Sequence, residues 1–290
     1  MRKNLAFLLT LLLISCGRKE TVGSEQIITV SIAPFKYFVE QIAGNDFKVN
    51  IMVPAGADPH IYEPFPEQIS RLRKSVAYIS NGYLGFEMTW LDRFYETNRN
   101  MKKLSLAAGL DPVAPEHHHE GGHFESADPH YWIAPRCALV MASAINGLLC
   151  ELNPLQKQKY ETNYQLLISK IQEIDNKANE FFSNVTAKSF MIYHPNMAYI
   201  ARDYGLEEVP VEFEGKEPPP SRIRELIDRA RKDHITTIFV QREFDTKNAK
   251  AIAGEIGARI LIIDPLSENW QKSTMDIITA LHESLLESSK

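Results

Sequence analysis

The chain has 290 residues, 44 % of them hydrophobic and 24 % charged, with a formal net charge of -5. That is enough apolar material for about two buried cores, and the acidic balance gives nucleic acid no electrostatic footing as a partner. Three cysteines in such a length exclude a disulfide-built scaffold.

Arg2 and Lys3 precede an uncharged, leucine-rich run from Leu5 to Ser15, too short for a membrane-spanning helix, which takes about 20 apolar residues. Positive charge, apolar run and small residue in that order predict an export signal over 1–15. Leu13-Ile14-Ser15-Cys16 has the form of a lipobox, making Cys16 a lipidation site and 16–25 a tether. Acyl chains there hold a protein at a membrane surface, each buried methylene contributing about 0.8 kcal/mol. No later run suggests a transmembrane span, so the remainder reads as a water-soluble body held outside the cytoplasm.

From residue 27 short apolar runs alternate with amphipathic stretches, the pattern of strands and helices over a mainly parallel sheet. Strands are predicted at 27–33, 47–53, 76–80 and 102–106, with helices at 35–43, 65–74 and 86–97. Residues 111–129, mixing proline, glycine, acids and histidine, read as a surface loop, and 135–152 returns to helix. Cys137 and Cys150 fall on that helix about 20 Å apart, beyond disulfide reach. Asn153-Pro154 then offers a cap followed by proline at the first helical position. Between 155 and 185 there is no glycine or proline, and Tyr160, Tyr164, Leu167, Ile171, Ile174, Ala178 and Phe181 recur at spacings of three and four. One helix of about 45 Å follows from that pattern.

Beyond it strands are predicted at 189–193, 208–213, 235–240 and 259–263, and helices at 196–203, 220–232, 246–256 and 273–286. The expected fold is α/β. Two similar lobes with mainly parallel sheets, 26–152 and 188–290, are joined by one rigid backbone helix within 153–187. A ligand would sit in the cleft between them, beyond the carboxyl ends of the strands.

The nine histidines sort themselves on this map. His60 in Asp58-Pro59-His60 and His130 in Asp128-Pro129-His130 follow the same tripeptide, each in a loop that leads into a helix. His194 directly follows the strand 189–193, and Asp264 directly follows the strand 259–263, so each lobe contributes two candidates. Three neutral imidazoles and a carboxylate suit tetrahedral Zn²⁺, whereas manganese, calcium and magnesium prefer more oxygen. Asp58 is placed to orient an imidazole, and a neighbouring acid or water can stand in for Asp264 as fourth donor. His117, His118, His119 and His123, interleaved with Glu116, Glu120 and Glu125, form a short loop able to bind metal weakly and raise its local concentration. His234 and His282 read as surface residues. A zinc hydrolase, the rival reading, needs an open coordination position and a base. No His-Glu-x-x-His, Gly-x-Ser-x-Gly or phosphate loop is visible, so no enzyme is expected.

The segments Gly56-Ala57-Asp58-Pro59-His60-Ile61-Tyr62-Glu63-Pro64, Asp128-Pro129-His130-Tyr131-Trp132, His194 with Ala201-Arg202-Asp203-Tyr204-Gly205-Leu206 after it, and Asp264-Pro265-Leu266 resemble the zinc-type metal-binding solute-binding proteins of ABC transporters. Order and spacing agree from about residue 27 to the C-terminus. The resemblance implies two α/β lobes bridged by a long helix, with one metal in the cleft held by His60, His130, His194 and Asp264. It also implies a monomer, anchored through the lipid on Cys16, that delivers Zn²⁺ to the permease and ATPase of an importer. Manganese-type members usually carry glutamate where His194 stands, so Zn²⁺ is expected and Mn²⁺ or iron is the alternative. Pro195-Asn196-Met197 departs from the acidic and aromatic residues common after the third histidine. Because imidazoles bind metal with proton loss, affinity is expected to fall as pH drops below about 6.5.

Overall fold

The computed structural model describes residues 26–114, 127–212, 218–244 and 246–290. The export signal, Cys16, His117, His118, His119 and His123 lie outside the described residues.

Two four-stranded, all-parallel sheets carry the described chain, as the alternation predicts. The first holds β1 (Ile27–Ile32), β2 (Lys48–Val53), β3 (Ser75–Ser80) and β4 (Lys102–Ser105) in the order β2-β1-β3-β4. The second holds β5 (Ser189–Ile192), β6 (Glu207–Pro210), β7 (Thr237–Gln241) and β8 (Arg259–Ile263) in the order β6-β5-β7-β8. The connecting helices of the first lobe are α1 (Ala33–Ala43), α2 (Pro66–Leu72), α3 (Gly85–Thr97) and α4 (Pro135–Leu152). After the long α5 (Lys157–Ser183) come α6 (Ala198–Tyr204), α7 (Pro220–Lys232), α8 (Lys247–Ile256) and α9 (Trp270–Ser288).

Parallel strands are covered on both faces and read as near-continuous apolar runs, and β1 is buried almost throughout. Its two polar side chains are satisfied internally. The hydroxyls of Thr29 and Ser75 share a 2.7 Å hydrogen bond, and Ser31 donates to the Ile79 carbonyl at 3.2 Å.

The 27 residues of α5 give a rod of about 40 Å, preceded by a 3-10 turn over Pro154–Gln156. Its buried face is Tyr160, Leu167, Ile171, Ile174, Ala178 and Phe182. Phe181 turns sideways and stacks flat on His282 of α9, ring centroids 4.1 Å apart. His282 is therefore packed against the long helix rather than solvated as a surface residue. Helix α4 is long and apolar enough to cross a membrane by length and composition, contrary to the expectation that no run after the export signal has that character. Its apolar character has a local cause, since Met141, Ile145 and Leu149 are fully buried and it packs on α1 and α5.

The larger hydrophobic core runs through both lobes, taking in Ile28 and Phe35 from the first, Ile171 and Ile174 from α5, and Phe190, Phe239 and Trp270 from the second; a smaller cluster around Met191, Leu226, Ile238 and Ile252 lies within the second lobe. Two indoles cross the seam: Trp132 Nε1 donates to the Pro265 carbonyl at 2.9 Å, and Trp270 Nε1 donates to the Trp132 carbonyl at 2.6 Å. Swinging the lobes apart would expose this shared surface at about 25 cal/mol per Å². Large rotation is opposed, and change at the cleft is left to loops and side chains.

Candidate metal centre

In each sheet the chain runs from its first strand to one side and then crosses to the other, so the strand order reverses between β1 and β3, and between β5 and β7. Such reversals open a crevice beyond the carboxyl ends of the strands, and of the candidate residues His60, His130 and His194 come together.

His60 and His130 are set by identical devices. Asp58 Oδ1 accepts from the His60 backbone N–H at 2.8 Å, and Asp128 Oδ1 accepts from the His130 N–H at 2.7 Å, the aspartate turn in which a side chain replaces a backbone acceptor. The repeated Asp-Pro-His tripeptide thus encodes one loop geometry twice. Behind His130, Asn81 Nδ2 donates to the Pro129 carbonyl at 3.0 Å and Tyr131 donates to the Asn81 carbonyl at 2.7 Å. The Asn81 and Gly82 N–H groups in turn donate to the carboxylate of Glu87, at 2.9 and 2.6 Å. Glu87 is buried, and burial pushes its carboxyl above the usual range.

Gly85 lies directly against His60. A Cβ added there would stand 2.7 Å from the His60 carbonyl oxygen, closer than van der Waals contact allows. Gly85→Ala is therefore expected to push the His60 loop outward and weaken Zn²⁺ binding roughly tenfold, as for loss of an outer-shell support. Chelator-competition titration checks this; wild-type affinity in the variant would contradict it.

His194 leaves β5 after Tyr193 and is clamped by Gln241, the last residue of β7. Gln241 Nε2 donates to the His194 carbonyl at 2.5 Å, and its Oε1 accepts from the His194 N–H at 3.3 Å. In the departing segment after His194, the buried Glu208 of β6 accepts from the Asn196 and Met197 N–H groups at 3.0 and 2.7 Å. Phe244 stacks on the His194 ring, 4.7 Å between centroids and 17° between planes.

The three imidazoles converge. His60 Nε2 is 3.2 Å from His130 Nε2 and 3.2 Å from His194 Nε2, and the last two are 3.4 Å apart. Donors bound about 2.0–2.1 Å from a tetrahedral Zn²⁺ lie roughly 3.3–3.4 Å from one another, so the triangle fits three corners of a zinc site. Tautomers point the same way. His130 Nδ1 faces Asp128 Oδ1 at 2.9 Å and His194 Nδ1 faces the carboxylate of Glu212. With the Nδ1 protons donated to carboxylates, both Nε2 atoms present lone pairs, which repel at this distance unless a cation joins them. Burial pushes the pKa of His60 well below the ordinary histidine value, helped by His130 and His194; burial also lowers that of His130, against the opposing pull of Asp128. The rings line a cavity of about 20 Å³, room for a single water-sized species.

Asp264 is not in this group. Its Oδ2 pairs with Arg242 Nη1 at 3.0 Å, and it lines a separate cavity of about 320 Å³ with Arg242, Ser267 and Lys272. Sequence reasoning also passed over Glu212, Gln241 and Glu243, the last lining the histidine cavity. All three stand at or just past the carboxyl end of a strand, the positional signal that singled out His194, and this could have found them.

Residues 28–286 match the family described as zinc-uptake complex component A, periplasmic (ZnuA). A zinc-binding lipoprotein, AdcA, of Streptococcus pneumoniae is 27 % identical over 282 residues, covering 93 % of this chain and 56 % of the relative; the chain spans about half the length of that protein. A crystal structure of ZnuA superposes with a TM-score of 0.84 at 35 % identity, covering 90 % of this chain and 99 % of the other. A ZnuA deletion mutant with zinc bound gives 0.83 at 34 %, covering 90 % and 98 %. Matched from its first strand to its last helix in sequence and over nine-tenths of its length in structure, the chain belongs to the ZnuA family.

Proposed function

We propose that the chain is the capturing component of an ABC importer for zinc. It binds one Zn²⁺ outside the cytoplasm through His60, His130 and His194 and passes the ion to the importer's permease, with transport driven by the partner ATPase. The observation that carries this reading is the 3.2–3.4 Å triangle of Nε2 atoms. Three nitrogen donors suit Zn²⁺ better than Mn²⁺, and Arg242 pairs with one of the two carboxylate oxygens of Asp264, Oδ2. Zinc is cargo here, and the site holds and releases it without chemical change.

Capture follows from the site's protonation. Histidines kept neutral by burial have their lone pairs free at neutral pH, so little is lost to proton release when the ion enters. Asp128 and Glu212 hold two of the rings in the binding tautomer and raise their basicity. Release is a local event, because the common core and the Trp132 and Trp270 bonds oppose lobe rotation. Lipid on Cys16 would keep the chain, as a monomer, beside its permease, and the loop of His117, His118, His119 and His123 would enrich the ion nearby. The lobes 26–152 and 188–290 and the linking segment 153–187 are the working parts of this reading.

Titrating metal-free protein with Zn²⁺ against a chelator of known affinity is expected to give one tight site per chain. Weak or multiple equivalent binding would contradict the reading. The same titration at several pH values tests the electrostatics. The lowered values of His60 and His130 move their competition with protons below pH 6.5. The steep loss of affinity is therefore expected beneath that pH, later than the free-histidine value predicts. A loss of two protons' worth of slope already between pH 7.5 and 6.5 would contradict it.

A further inference from the structure

Three imidazoles leave one corner of a tetrahedron open, and two carboxylates, Asp264 and Glu243, are the acids to weigh for it. Asp264 is held elsewhere. Besides the Arg242 pair, its backbone carbonyl accepts from the Ser267 N–H at 3.3 Å and from the Ser273 hydroxyl, which fixes the backbone; its Oδ1 is buried without a hydrogen-bond partner among the described residues, but the residue lines the other cavity.

Glu243 sits on the turn that follows β7, between Arg242, which claims Asp264, and Phe244, which stacks on His194. It lines the histidine cavity together with His60, His130 and His194. Its Oε1 is buried without a hydrogen-bond partner among the described residues, an uncompensated cost for a carboxylate. It also feels like charge from both sides of the cleft, from Asp264 in its own lobe and from Asp58 beside His60. Burial first, and then these two acids, push its carboxyl above the usual range. A divalent cation among the histidines would remove each of these penalties at once.

We propose that Glu243 supplies the fourth donor, a carboxylate oxygen, to the Zn²⁺ held by His60, His130 and His194. The proposal rests on the three-histidine reading and adds to it the residue that closes the site. Glu243 lies outside the group that the ligand atoms of His60, His130 and His194 form, so coordination by it requires its side chain to turn inward. The result is a closed set of three nitrogens and one oxygen, with Asp264 withheld by Arg242, a composition that favours Zn²⁺ over metals that need more oxygen.

The test uses the full chain with Zn²⁺ and, as a spectroscopic probe, Co²⁺. Glu243→Gln is expected to weaken Zn²⁺ binding about tenfold, since water takes the vacated corner, and to shift the visible bands of the Co²⁺ complex. Asp264→Asn is expected to leave those bands in place. His130→Ala serves as the control for the underlying reading. If it loses affinity while Glu243→Gln keeps wild-type affinity and bands, the proposal is overturned and the three-histidine site stands; if His130→Ala also binds normally, the site itself is wrong. Because Oε1 has no partner among the described residues to lose, metal-free Glu243→Gln is expected to melt no lower than wild type. A lower melting temperature with unshifted Co²⁺ bands would mark a structural role and overturn the proposal, as would a band shift in Asp264→Asn alone.

Discussion

Replacing His130 with alanine is expected to weaken Zn²⁺ binding by roughly 100- to 1000-fold. Four-donor structural zinc sites are worth about 10–16 kcal/mol in total, or roughly 2.5–4 kcal/mol per donor, and each 1.4 kcal/mol is about a factor of ten. His130 is the strongest choice among the three because it is 6 % exposed and lies where water cannot easily take its place. Its loss also leaves Asp128, itself buried, without the ring it orients. Chelator-competed titration of folded, metal-free protein measures the effect; a loss below about fivefold would show that His130 does not touch the ion.

The second large effect is expected from Asp128→Asn, with Zn²⁺ binding weakened about 10- to 100-fold, the usual cost of losing a carboxylate that orients a metal-bound imidazole. Asp128 Oδ1 holds His130 twice, through the backbone N–H at 2.7 Å and through Nδ1 at 2.9 Å. The amide keeps the shape but loses the charge that fixes the tautomer and raises the basicity of Nε2. The backbone around it should persist, because the Asp128 carbonyl still accepts from the Tyr199 hydroxyl at 2.8 Å. Unchanged affinity in Asp128→Asn would mean that the pair is only a turn-forming device.

The fold was readable because its signals are local. Glycine and proline punctuate the elements, most β strands carry short, largely apolar runs, and the absence of both breakers from 155 to 185 marks the long helix. Most predicted boundaries fall within a residue or two of those observed. The exceptions are β6, which ends at Pro210 rather than at 213, and α9, which Asn269 caps by accepting from the Lys272 N–H at 3.2 Å, so that the helix begins at Trp270 rather than at 273. Among the smaller shifts, a left-handed φ of 54° at His234 prolongs the turn after α7, and β7 starts at Thr237 rather than at 235.

The histidines were readable for a different reason. Asp-Pro-His is a loop-forming sequence whose repetition is visible in one dimension, and His194 sits immediately after a strand. What the chain could not disclose was competition between neighbours in space. Asp264 has the right position at the end of β8, yet Arg242, at the end of the adjacent strand, claims its Oδ2. Glu212 reaches His194 from the end of β6, and Phe181 meets His282 across two helices. Such pairings depend on strand order, and the order β6-β5-β7-β8 is not written in any single segment.

The most direct measurement of the centre is zinc-edge X-ray absorption on the complex of one Zn²⁺ per chain. The expected spectrum has four nitrogen or oxygen scatterers at about 2.0–2.1 Å, with the outer-shell signature of three imidazoles. Fewer than three imidazoles, a thiolate sulfur at about 2.3 Å, or five to six ligands would contradict a site built by His60, His130 and His194.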